Sequence, residues 1–91
     1  MSTDPLLAEL IGQPVVLDVA SRYVYLGTLA ERGEHYFILA NADVHDLRDT
    51  STTRELYVIE AKRHGIHPNR EKVFVRVDEV VSLSALDDVM A

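Results

Sequence analysis

In the stretch KVFVRVDEVVSLS, starting at Lys72, two Val-rich runs flank Arg76, Asp78 and Glu79. A guanidinium held where two strands turn can pair with a carboxylate, meet a phosphate or lie against a base. Upstream, Lys62, Arg63, Arg70 and Lys72 join Arg76 in a segment, 62–76, whose only acid is Glu71; it carries +4 in a chain of net charge −6, which leaves −10 on the remainder. Such a patch fits phosphate contact at one surface or a solvated helix end and loop. His35, His45, His64 and His67 add four imidazoles, and His45 stands between Asp43 and Asp46. Imidazole and carboxylate together can hold zinc, but this spacing matches no closed metal motif, and no metal is expected. Asp43, His45 and Ser51 are the residue types of an acid, a base and a nucleophile. Nothing places the serine on a strained turn or supplies oxyanion donors, however, and there is no Gly-rich phosphate loop. The expectation is a non-enzymatic protein without a cofactor.

Composition narrows the class further. Ninety-one residues, 47% of them hydrophobic, make one domain, 1–91, with a single core. A chain of this size buries only about 60–65% of its unfolded surface, so association would help it. The absence of cysteine rules out disulfides, thiolate metal sites and a cysteine nucleophile. No apolar run approaches the length of a bilayer span, and MSTDPLLAEL lacks a basic n-region and an h-region. A cytoplasmic protein with no membrane partner is expected.

The periodicities give the elements that must carry these residues. Asp4, Pro5 and LLAELIG predict an N-terminal helix of about two turns, capped by Asp4 and stopped at Gly12, with Leu6, Leu7, Leu10 and Ile11 as an apolar stripe. PVVLDVASRYVYLGTLAE predicts two strands joined by a tight turn: Val15, Leu17 and Val19 share one face, and Gly27 marks a bend or bulge in the second run. HYFILANADV predicts a third strand, apolar on both faces through Tyr36, Phe37, Ile38 and Leu39. The pair Thr52 and Glu55 has capping-box spacing, and Lys62, Arg63 and His64 before Gly65 are stop signals, so a helix is predicted over 53–64. KVFVRV and VVSLSAL predict two last strands with only Asp78 and Glu79 between them, either a tight hairpin or one sharply bent strand, followed by a short acidic tail, 86–91.

A short helix followed by five strongly bent strands, with glycine in the second and a very short turn before the last, resembles the Sm-like fold. GQPVVLDV and YVYLGTL are similar to that family's first motif through Tyr25, Gly27 and Leu29, and VRVDEVVSLS to its second. In the second, Arg76 keeps the family's Arg of Arg-Gly, Val77 replaces the Gly, and Val80, Val81 and Leu83 keep the apolar strand. The resemblance implies a mainly β, five-stranded small barrel with an extra helix before the fourth strand. It also implies a homo-oligomeric ring in which the fourth strand pairs with the fifth strand of the next subunit. VVSLS, with no Lys or Pro to blunt it, is an open edge that would take such a partner. Val73, Val75, Val80, Val81 and Leu83 are the residues expected at that contact.

Uridine-rich RNA is the family's common ligand, held by an aromatic or polar residue and an Asn near the turn between the second and third strands, and by the Arg of Arg-Gly. Counting from Gly27 puts Tyr36 and Phe37 at the recognition pair, with no Asn. One reading has Tyr36 or His35 stacking a base of single-stranded RNA while Arg76 meets base or phosphate, with Lys62, Arg63, Arg70 and Lys72 adding charge. In the other, Tyr36 is core, Arg76 pairs with Glu79 or a neighbouring subunit, and the ring recruits other proteins.

Overall fold

The computed structural model describes residues 4–49 and 52–91. In chain order the elements are α1 (Pro5–Ala8), β1 (Pro14–Val19), β2 (Tyr23–Arg32), β3 (Tyr36–Asp46), α2 (Arg54–His64), β4 (Arg70–Arg76) and β5 (Val80–Ala85), with single 3-10 turns at Leu47–Asp49, Val77–Glu79 and Leu86–Asp88. The strands form one antiparallel sheet in the order β4-β3-β2-β1-β5. The last two strands are therefore not a hairpin: they lie on opposite edges of the sheet. Between them the 3-10 turn carries the chain across. The Val77 N–H donates to the His35 carbonyl at 2.9 Å on the β3 side, and the Glu79 carbonyl accepts from the Ala20 N–H at 3.1 Å on the β1 side. Asp78 and Glu79 lack the glycine or asparagine of a two-residue hairpin, and the 3-10 turn needs neither.

The sheet curls because β2 and β3 are bulged against each other. Register runs Leu26↔Asp43 and then Thr28↔Ala40, so Asn41 and Ala42 oppose Gly27 alone. Asn41 takes a φ of 50°, a left-handed conformation that asparagine tolerates better than most residues. A bulge adds twist and bends its strand, which a five-stranded barrel requires.

Strand alternation then builds two apolar layers. Val15, Leu17, Val19, Leu29, Phe37, Leu39 and Val75 fill the concave side, while Val16, Val24 and Leu26 on the other face are covered by Val58 and Ala61 of α2 and by Leu86. Each fully buried Leu or Val contributes roughly 1.5–3 kcal/mol. α2 is pinned at both ends. Arg54 donates to the Ser21 carbonyl at 2.7 Å and pairs with Asp18 at 3.3 Å; Lys62 donates to the carbonyls of Asp87, at 2.7 Å, and Val89. Its cap lies one residue later than the Thr52–Glu55 spacing suggested: Thr53 Oγ1 accepts from the Leu56 N–H at 3.2 Å, because Thr53 holds the extended backbone of a cap. α1 is also shorter than expected. Only Pro5–Ala8 is helical, Leu7 and Leu10 pack on the core, and Leu6 stays 80% exposed. No helix among the described residues is long and apolar enough to cross a membrane.

Candidate functional site

The β2–β3 turn and the 3-10 turn after β4 meet at one end of the barrel. They wall a cleft of about 310 Å³ lined by Glu34, His35, Tyr36, Arg76, Val77 and Asp78. Antiparallel register sets Tyr36 directly opposite Arg76, which places both side chains on the same face of the sheet. That face is open to solvent. Tyr36 is 42% exposed, and its ring meets the edge of Phe74, itself 56% exposed, at 6.0 Å and 82°. The reading of Tyr36 as core is corrected by this placement. α2 packs on the Val16, Val24 and Leu26 part of the convex surface and, through Tyr57, on Asp43 and His45, and Tyr36 and Phe74 lie outside that cover. Arg76 pairs with Asp78 at 2.8 Å rather than with Glu79, and both partners are well exposed. An exposed pair of this kind is worth about 0–1 kcal/mol, so a ligand can displace it at little cost.

Arg32, unremarked in the sequence, folds back onto the turn. Its guanidinium donates to the carbonyls of Gly33 and, at 3.1 Å, Glu34, and lies 5.5 Å from the centre of the Phe37 ring. The signal was available: a charged strand end, Glu31-Arg32, runs straight into Gly33, and an Arg there can turn back onto its own loop. Phe37 is buried in the concave core beneath it, so the position that carries Asn in the family pattern offers the cleft no polar group. With Glu34 and Asp78 lining it beside Arg76, the cleft suits a stacked base better than a phosphate.

The basic segment does not converge on this cleft. Lys62 is spent on the tail carbonyls, Arg63 lies 3.7 Å from Glu60 on α2, and Arg70 donates to the Asn69 carbonyl at 3.1 Å. Lys72 is opposite Ala40, four pairs before Arg76, on the same face and about 13 Å from it along the strand. The valines proposed for the subunit contact divide likewise. Val73, Val75, Val80 and Leu83 turn their side chains to the concave core, so those side chains are not available to a neighbour. Val81, skipped by the register between Asp18↔Ser82 and Val19↔Val80, points out and is 71% exposed.

A second cluster lies under α2. The Tyr57 hydroxyl donates to Asp43, which is only 5% exposed, and the Tyr57 ring stacks on His45 at 3.9 Å and 10°. Burial, then the hydrogen bond to Asp43 and its charge, push the Tyr57 phenol above the usual tyrosine range. Asp46 does not join them. Hydrogen bonds from the Arg48 side chain and backbone bring its carboxyl down to about 2. Among the described residues no three His, Cys, Asp or Glu side chains are gathered as metal ligands. Ser51, considered with Asp43 and His45 as a nucleophile, lies outside the described residues. Tyr57→Phe leaves Asp43 with one donor fewer and is expected to lower stability by about 1–3 kcal/mol in urea denaturation.

The architecture is that of an Sm-like small barrel. The chain aligns with the structure of the Pyrococcus abyssii Sm protein in complex with a uridine heptamer, with a TM-score of 0.60 and 17% identity, covering 91% of this chain and 99% of that one. No family model and no curated protein sequence matches the chain. At this identity the likeness establishes the fold and leaves the roles of individual side chains to the geometry described above.

Proposed function

We propose that this chain is a non-enzymatic, ring-forming Sm-like protein of the cytoplasm whose hairpin-end cleft takes unpaired bases of single-stranded RNA weakly. The ring carries the proposal. It is supported by the sheet order, which leaves β4 and β5 as the two free edges of one strongly curved sheet. A contact from one edge to the opposite edge of the next copy is heterologous and repeats, and it closes when the rotation per subunit allows. Light scattering at micromolar concentration is expected to give a multiple of the 10.2 kDa chain, and a monomer would overturn the reading.

The base-binding part is supported by Tyr36 standing exposed beside Arg76 and His35 in one cleft, at the end where the Val77 N–H ties the two turns together. The aligned Sm protein was solved with a uridine heptamer, which makes oligo-uridine the natural probe. Tyr36→Ala removes a stacking platform and is expected to weaken binding about tenfold. Arg76→Ala is expected to weaken it by a smaller factor, with the oligomer intact in both variants. Few phosphates are engaged in this reading, so the log-log salt slope should be shallow.

A second reading, a protein-interaction ring that never touches RNA, is favoured by Glu34 and Asp78 in the cleft and by the dispersal of the basic segment. Absence of oligo-uridine binding at low salt by an assembled ring would select it.

A further inference from the structure

Asp43 is 5% exposed, yet both groups that hydrogen-bond its carboxylate are neutral: the Tyr57 hydroxyl at one oxygen and, at a long 3.4 Å, the Asn69 amide at the other. Among the described residues, none of the ion pairs gives it a cationic partner. An ionised carboxylate out of water without a counter-charge is costly, and removing one partner from a buried pair leaves the same uncompensated charge. The carboxylate is not sealed in, however. It forms one wall of a cleft of about 270 Å³ beneath the end of α2, whose other walls include Tyr57, Glu60, His64 and Gly65.

The surroundings of the cleft set the sign of what would fill it. Glu60 brings a second carboxylate, shared with Arg63 at 3.7 Å and His64 at 3.1 Å. The last turn of an eleven-residue helix adds the negative end of its dipole and carbonyls without helical partners. The imidazoles of His64 and His67 also line the cleft, but Glu60 holds Arg63 and His64, which leaves Asp43 as the carboxylate without a charged partner: an anion would meet it and this helix end, and an apolar ligand would leave it uncompensated. We propose that the cleft between α2 and the end of β3 binds a small organic cation with N–H donors, of ammonium or guanidinium type, which supplies Asp43 with its missing counter-charge while the hydroxyl of Tyr57 holds the other oxygen in place. The site is separate from the hairpin-end cleft and does not depend on RNA binding.

The test is an NMR titration of the 91-residue chain with methylguanidinium and methylammonium, using tetramethylammonium at matched ionic strength as the control without N–H donors. Saturable shifts confined to the amides of Asp43, Tyr57, His64 and Gly65 are expected with the first two probes, and none with the third. Asp43→Asn is nearly isosteric and is expected to weaken binding by at least about thirtyfold. If that variant does not fold, Glu60→Gln, on the exposed side of α2, serves instead and is expected to weaken binding severalfold. Shifts that do not saturate, that also appear with tetramethylammonium, or that persist unchanged in the folded variant would overturn the proposal. An N-acetylarginine amide arm separates the sources of the cation: tighter binding than methylguanidinium assigns it to an arginine side chain on a polypeptide, and equal or weaker binding to a free ligand.

Discussion

Gly27→Val is expected to lower stability by about 3 kcal/mol or more, the largest loss from any single substitution considered for this chain. A Cβ at position 27 would stand 3.0 Å from the Ala42 Cα, 3.1 Å from the Ala40 carbonyl oxygen and 3.1 Å from the Ala42 Cβ. Two of these three atoms are backbone, and they belong to the bulge in which Asn41 and Ala42 oppose Gly27 alone. The neighbours can retreat only by unwinding that bulge, and the bulge bends the strand. Gly27→Ala meets the same atoms without the two extra methyl groups and should fall between wild type and valine. Gly33→Ala is the control: its nearest atom is the Tyr36 carbonyl oxygen at 3.5 Å, an ordinary contact, and a change within about 0.5 kcal/mol is expected. Urea denaturation followed by far-UV circular dichroism at one fixed protein concentration measures all three. Equal midpoints for Gly27→Val and wild type would show that the bulge does not need the close approach.

Position 27 was legible because a lone glycine inside a β-branched run has few explanations, and each of them involves backbone proximity. Other features could be read only in part. The Val-rich runs around Arg76 declared two strands but not their partners, because pairing is a long-range matter. β4 pairs with β3 and β5 with β1, while adjacency in the chain suggested that they pair with each other. Tyr36-Phe37-Ile38-Leu39 read as a strand covered on both faces, and half of that is right. Phe37 and Leu39 enter the core, but Tyr36 stays open, since where α2 lies is decided by Arg54, Tyr57 and Val58 rather than by anything near Tyr36. The buried Asp43 left no local sign at all: its hydrogen-bond donor Tyr57 is fourteen residues away on another element, and an acid flanked by Ala42 and Val44 is usually a surface residue. Thr52 and Thr53 illustrate the finest grain. Both can cap a helix, and the side chain that reaches the Leu56 N–H is decided by backbone geometry that composition does not encode.

Phe74→Pro is expected to convert the assembly to monomers while leaving the barrel folded, and Val73→Pro, one residue away, to damage the barrel itself. The reason lies in the phase of the ladder. The Val77 N–H donates to the His35 carbonyl, and in an antiparallel pair the groups of alternate residues point to alternate sides. Val73 and Val75 therefore direct their N–H and C=O groups to β3, as the Val77 N–H does, whereas Lys72, Phe74 and Arg76 direct theirs away from it, along the free edge. Proline removes an N–H and is tolerated on an edge strand where that N–H faces outward. At position 74 the group lost is one that a neighbouring β5 would accept; at position 73 it is a rung of the β3–β4 ladder, and a loss of about 3 kcal/mol is expected. Phe74 and Val81 are exposed apolar side chains on opposite edges of the sheet, and the proposed edge-to-edge contact would bring those edges together. Light scattering with circular dichroism separates the outcomes. A Phe74→Pro protein that remains assembled would mean that the copies meet through some surface other than the β4 and β5 edges.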